Sequence, residues 1–177
     1  DIDIYDKFFS KDLDFVNLLK MTDNGYDNLY PEQADLRTMQ WQTMTDMENR
    51  PGKFFVKYDE VTDEGYNYAS MIPVIRMSEM YLISAECQVT SNPFNAYARL
   101  NEVRTASKTS TVSTALAARI EDEYTREFIG EGQMFWYYKR KGATVIPALY
   151  DRTREDIQLS KSNYVFDLPD DEQGHRD

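Results

Sequence analysis

Between Ile72 and Gly142 the apolar residues recur at helical spacing, whereas on either side of that stretch they follow no single period. Leu116, Ile120, Tyr124 and Phe128 lie four residues apart, which stacks four bulky side chains on one face of an amphipathic helix. Gly130 and Gly132 then bracket Glu131. Because glycine adopts left-handed backbone at little cost, one helix can stop there and another begin almost at once. The second limb, 133–141, opens with the aromatic run Phe135, Trp136, Tyr137, Tyr138 and closes with Lys139, Arg140 and Lys141. Those cations suit the negative end of a helix dipole just before Gly142. The pattern predicts helices over 114–130 and 132–141.

A second pair is predicted upstream. Pro73 suits the first turn of a helix running to Val89, and Asn92-Pro93 reads as N-cap and first residue of another ending near Ala106. On the helical wheel of 73–89 a wide apolar arc runs from Met77 and Tyr81 to Leu82 and Ile75, and Met80, Ile83 and Cys87 fill part of the opposite side. This helix is therefore expected to be central and buried, with Cys87 a small core residue. Glu79 and Glu86 fall beside the arc, where a carboxylate needs a partner. Arg76 and Arg104 are the expected partners, with Arg99 also in reach, and neither carboxylate is expected to face an open cleft. Leu82, Ala85, Leu100, Val103, Ile120 and Phe128 should share one core. A lone helical hairpin cannot bury both faces, so tandem pairs suggest a solenoid-like stack.

The flanks are less regular. Residues 1–70 are predicted to hold a short helix through Leu13 and Val16 after Ser10, turns at Asn24-Gly25 and Arg50-Pro51-Gly52, and a strand over 53–58 without an evident partner. Three segments result: an irregular 1–70, two helical hairpins over 71–142, and an irregular 143–177 packing on the helices.

Three blocks carry a resemblance. Glu123, Glu127, Glu131, Gly132, Phe135, Trp136, Lys139, Arg140 and Gly142 match, without gaps, the pattern E-R-x-x-E-L-x-x-E-G-x-x-F-x-D-L-K-R-x-G. The segment 75–86, IRMSEMYLISAE, and the segment 100–104, LNEVR, match two further blocks in the same order. Together they resemble the C-terminal portion of the SusD/RagB family of nutrient-uptake outer-membrane lipoproteins. Tyr124 stands where that pattern has Arg, and Tyr137 where it has Asp. Weaker matches are Asp35-Leu36-Arg37, Lys57-Tyr58 and the segment 163–169, which is similar to the family's closing F-P-I-P with Asp167 in place of the first proline and is expected to be extended. The resemblance implies a mainly α fold of tandem antiparallel helical hairpins, a tetratricopeptide-like α-α superhelix with irregular loops and short strands. It also implies non-enzymatic binding of a glycan, oligosaccharide or peptide nutrient at the cell surface. Delivery would be to a SusC-like TonB-dependent outer-membrane transporter, with attachment to the outer membrane only through a lipid anchor outside this sequence.

Charge and composition narrow the alternatives. A net charge of −11 opposes binding to nucleic acid or an anionic membrane surface. No run of about 18 apolar residues occurs. Asp1 opens the sequence without a starting Met, a basic n-region or an apolar h-region, so it reads as a fragment whose targeting lies elsewhere. The one histidine, His175, lies in a polar tail, the zinc-type Cys/His clusters and the spaced ligands of a calcium loop are missing, and no glycine-rich phosphate loop occurs. No cofactor or metal is expected. Glu123, Glu127 and Glu131 are spaced to line one helix face, which a carboxylate-dependent glycosidase would need, but pairing with Arg126, Lys139 and Arg140 explains them without chemistry. Of the aromatics, Tyr81, Tyr124 and Phe128 sit in periodic helices and are expected to pack. Trp41, Tyr66 and Tyr68 lie in irregular segments, where binding residues concentrate, and are the ligand-stacking candidates. They would supply part of a pocket, so this chain alone is expected to bind weakly. A helical protein-interaction scaffold without a small ligand is the competing reading, and a glycosidase the third.

Overall fold

A computed structural model describes residues 19–45, 49–57, 62–63, 66–67, 75–146 and 156–166. The helix expected after Ser10 lies outside them. The described N-terminal part is a small three-stranded antiparallel sheet in the order β1 (Lys20–Met21), β3 (Pro51–Phe55), β2 (Trp41–Thr45). Lys20 stands opposite Phe54 and Trp41 opposite Phe55, so the strand expected near 53–58 begins and ends earlier and has partners on both sides. Asn24-Gly25 is not a turn between elements. The Thr22 hydroxyl accepts the Gly25 N–H at 3.1 Å, and this cap starts helix α1 (Asp23–Leu29) through the glycine. A short 3₁₀ turn, Leu36–Gln40, leads into β2, and β4 (Thr62–Asp63) pairs with β5 (Tyr66–Asn67).

Four helices follow: α2 (Met77–Gln88), α3 (Pro93–Ala106), α4 (Leu116–Phe128) and α5 (Gln133–Lys141). The start of α3 is as the sequence predicts, with Pro93 in the first turn and the Asn92 side chain accepting the Asn95 N–H at 3.2 Å. Helix α2 starts later than predicted, because Arg76 is extended (φ −126°, ψ 149°) and serves as its N-cap. Gly130 (φ 76°) and Gly132 (φ 73°) make the reversal between α4 and α5, and a Cβ at position 130 would stand 2.8 Å from the Phe55 ring. Leu82, Ala85, Leu100, Val103, Ile120 and Phe128 do share one buried cluster.

Helix α2 is not buried all round. Only Leu82 and Ala85 are inside, while Ile75, Met77, Met80 and Ile83 are exposed and so is Cys87, contrary to the expected core cysteine. The reason is geometric: α3 and α4 pack closely on α2, whereas α5 faces it across an open cleft that Ile83 and Cys87 line. A second cluster joins the sheet region to the helices through Leu29, Tyr30, Trp41, Phe55 and Ile129. After Gly142 the chain is more regular than expected, with β6 (Val145–Ile146) paired to β7 (Ile157–Gln158) and a 3₁₀ turn over Lys161–Tyr164 that takes in the first two residues of the segment 163–169 anticipated as extended; Val165 is extended (φ −109°, ψ 122°), and 167–169 lie outside the described residues. Tyr164 enters the main cluster and donates to the Ala143 carbonyl at 2.8 Å. The whole is mainly α, with short strands. No described helix is long and apolar enough to cross a membrane.

Candidate functional site

The two faces of α4 meet different surroundings, and one of them is ionic. Glu123 is 0 % exposed and accepts from Arg37 (2.6 Å), Arg104 (2.8 Å) and Arg126 (3.2 Å). Glu127 takes the Ser78 hydroxyl at 2.7 Å and lies 3.5 Å from Arg37 and 3.7 Å from Arg76. Glu131 is held by Lys57 at 2.5 Å and Arg76 at 2.7 Å. Asp35 grips Arg37 through Nε and Nη2, and Glu32 reaches Arg104 at 2.8 Å and the Ser110 N–H at 2.7 Å. Burial disfavours the charged Arg37, but Asp35 and Glu123 more than offset it and raise its pKa. For Lys57 burial wins over Glu131 and the pKa falls. Burial also works against a charged Glu32, yet the bonds from Ser110 and Arg104 prevail and its pKa is lowered. An isolated buried anion is strongly unfavourable, so this matching is the condition for the charges being inside at all. The three glutamates that the glycosidase reading would use are thus all engaged, Glu123 and Glu131 by short bonds from cations and Glu127 by the Ser78 hydroxyl with Arg37 and Arg76 within 3.7 Å.

Partner assignments differ from the sequence-based expectation. Arg126 does bind Glu123, but Lys139 and Arg140 lie elsewhere, and Arg76 serves Glu131 and Arg104 serves Glu123 rather than Glu79 and Glu86. Glu86 instead takes both terminal nitrogens of Arg140, at 2.9 and 2.8 Å, with Lys141 at 3.5 Å. That pairing raises the Arg140 pKa. Glu79 makes no ion pair among the described residues and, against expectation, lines a cleft.

The other face of α4 is aromatic. Tyr124 and Tyr137, the two departures from the motif, stack on each other with ring centroids 4.8 Å apart and planes inclined by 40°. Burial raises the pKa of both. They form part of the lining of a cleft of about 670 Å³ between α2 and α5. Ile83 and Cys87 line it from α2, and Gln133, Trp136, Lys139 and Arg140 from α5. Trp136 is 55 % exposed, and the Lys139 ammonium lies 5.3 Å from its ring centroid. The Tyr124 hydroxyl is buried and has no hydrogen-bond partner among the described residues. Volumes of several hundred Å³ with mostly apolar walls and a few polar groups are typical of small-ligand sites. Among the described residues no group of His, Cys, Asp and Glu is placed to hold a metal ion.

The SusD family model matches residues 19–170. The chain belongs to the SusD family. A crystal structure of a SusD homologue from Bacteroides thetaiotaomicron superimposes with a TM-score of 0.50 at 19 % identity, over 80 % of this chain and 33 % of that one. The chain therefore spans about a third of that relative's length, and at this identity the likeness concerns the fold alone. No curated protein matches.

In this SusD-family chain the ligand candidates named from sequence are not brought together by the described structure. Trp41 is 7 % exposed, packs edge-on against Phe55 with centroids 5.1 Å apart, and donates its indole N–H to the Tyr30 hydroxyl at 3.2 Å. Its ring offers no open face. Tyr66 belongs to β5, its side chain lies outside the described residues, and so does all of Tyr68. The cleft was missed. Its signal was present in the aromatic run 135–138, where Trp136 takes the outward helical position while Tyr137 and Tyr138 are buried.

Proposed function

We propose that this chain forms part of a cell-surface nutrient-binding protein of the SusD family. That protein captures an oligosaccharide or peptide without chemically changing it and passes it to a SusC-like TonB-dependent transporter, held to the outer membrane by a lipid anchor. The observation that carries this reading is the family match across 152 of the residues, 19–170. Engagement of Glu123, Glu127 and Glu131 by cations supports a binder over a glycosidase, which needs one carboxylate free to accept or deliver a proton. Calorimetry against panels of oligosaccharides and peptides, followed by chromatography of the recovered ligand, tests it. Specific binding with unaltered ligand is expected. Product release would overturn the non-enzymatic reading, and binding of neither class would favour a scaffold that docks a protein partner, a reading to which the exposed Ile75, Met77, Met80 and Ile83 lend support.

A further inference from the structure

We propose that Phe135, Trp136 and Phe166 form an aromatic box for a quaternary ammonium group of the choline or betaine kind, and that the Lys139 side chain occupies this box in the free protein as a built-in competitor. The inference goes beyond the nutrient-binding reading and does not rest on it. Helix geometry brings the first part together. Side chains of a helix lean towards its N-terminus, so Lys139 in α5 lies back over the residues three and four positions before it, Trp136 and Phe135. The third ring comes from further along the chain. Tyr164, held in the main cluster and bonded to the Ala143 carbonyl, sets the chain so that Phe166 reaches the same spot. The Phe135 ring centroid lies 5.1 Å from that of Trp136 and 5.3 Å from that of Phe166, and the centroids of Trp136 and Phe166 are 6.0 Å apart. With interplanar angles of 83°, 40° and 58°, the rings stand as walls rather than as one stack.

The Lys139 ammonium shows what these walls accept. It lies 5.3 Å from the Trp136 centroid, 5.8 Å from that of Phe166 and 6.0 Å from that of Phe135, all within reach of cation–π attraction. Lys139 makes no ion pair among the described residues, whereas its neighbours Arg140 and Lys141 both turn to Glu86. The rings are its partners. Trp136 is 55 % and Phe166 67 % exposed, and Trp136 and Lys139 also line the cleft, so a ligand has a way in. A quaternary ammonium is the occupant able to displace the lysine. A primary ammonium is a compact, strongly hydrated charge, and the water it gives up offsets much of what the rings return. A trimethylammonium group spreads its charge over methyls that touch the ring faces, and it has no N–H to leave unsatisfied. Anionic groups are turned away by the same faces, which carry the negative part of the ring quadrupole, and the net charge of −11 favours the approach of a cation.

The sequence contains two tryptophans, which makes the test direct. In ¹⁵N-labelled protein the indole N–H of Trp136 reports the box and that of Trp41, bonded to the Tyr30 hydroxyl, reports the core. Choline added to the full chain at constant ionic strength should move the Trp136 signal saturably and leave Trp41 unmoved. The uncharged isostere 3,3-dimethylbutan-1-ol should bind at least about tenfold more weakly, because it keeps the shape without the charge. Lys139→Ala removes the competitor and should tighten choline binding several-fold, while Lys141→Ala, which removes the same charge outside the box, should not. Phe166→Ala takes away a wall and should weaken binding several-fold. These side chains are exposed, and an unmoved Trp41 signal in each variant reports that the fold is kept. Equal binding of the isostere would overturn the box. So would an affinity in Lys139→Ala no higher than in the parent or in Lys141→Ala, or the absence of a saturable Trp136 shift in Lys139→Ala at about 0.1 M choline. None of these outcomes touches the nutrient-binding reading, which calorimetry against oligosaccharides and peptides tests separately.

Discussion

Glu123 and Tyr124 are consecutive residues of α4, about 100° apart on the helix, and they are buried by opposite means. Glu123 sits among three guanidinium groups drawn from positions 86, 19 and 3 residues away. Tyr124 sits among rings: Phe128 at 5.7 Å and Tyr137 at 4.8 Å. The ionic side is closed, with each carboxylate met by a cation, and it ties the N-terminal sheet region to the helices through Arg37 and Lys57. The aromatic side is open and ends in the cleft. Charge burial tolerates little slack, because any missing partner leaves an unsolvated ion, whereas packing between rings leaves room that a ligand can use.

The sharpest way to break the comparison is Glu123→Ala. It leaves Arg37, Arg104 and Arg126 facing one another in a buried site, and a loss of about 3–5 kcal/mol in urea unfolding is expected. Glu123→Gln should lose nearly as much, since shape is kept but charge is not. A loss under about 1 kcal/mol would show that the arginines find water and that the lattice does not hold the regions together. On the apolar side Leu82→Ala should cost about 2–5 kcal/mol, the range for a fully buried leucine, with the value set by how far α3 and α4 can close on the gap.

A pH titration separates the two sides by sign. Tyr124 and Tyr137 have folded pKa values raised above the ordinary 10.0, so above that pH the unfolded chain loses protons that the folded one keeps. Their contribution is full below pH of about 10 and declines as pH rises further. Lys57 on the ionic side works the other way. Its folded pKa is lowered from 10.5, so the unfolded chain holds its proton longer and stability gains as pH rises towards that value. Thermal unfolding across the alkaline range should therefore fall less steeply in the double variant Tyr124→Phe, Tyr137→Phe. Lys57→Met should remove the opposing rise. Identical alkaline limbs in wild type and the tyrosine double variant would mean that these hydroxyls are not withheld from water.

The same contrast explains what was legible in the sequence. The apolar face of α4 was readable because Leu116, Ile120, Tyr124 and Phe128 announce it by spacing alone, and the hairpin glycines announce the reversal. The ionic partners were not, because no local rule links Glu123 to Arg37, and a guanidinium reaching from a 3₁₀ turn leaves no periodic trace. The family resemblance did contain the clue, since Asp35-Leu36-Arg37 and Lys57 were its weak upstream matches and both reach the α4 glutamates or their partners. Burial on α2 was over-predicted for a related reason: a wheel shows which residues are apolar, but not which side another element covers. Trp41 was misplaced because β2, without a periodic pattern of its own, turns that ring onto α1 and Phe55.

The smallest effect tests whether ionic pairing as such, or burial of the pair, makes the difference. Glu86 and Arg140 form a two-bond contact at 2.9 and 2.8 Å, geometry as good as that around Glu123, but the Arg140 side chain is 53 % exposed. Water can solvate either partner if the other is removed, and dissolved salt screens what attraction remains. Arg140→Ala should therefore cost at most about 1 kcal/mol, and less at high salt, against the several expected for Glu123→Ala. A double-mutant cycle with Glu86→Ala isolates the pair from the contact that Arg140 also makes with the Tyr137 ring, at 5.5 Å. A coupling as large as that of the buried lattice would mean that the cleft wall is drier than its exposure indicates. In that case Arg140 is a structural support of α5 against α2, and its fixed hold on Glu86 is what keeps the cleft between them open.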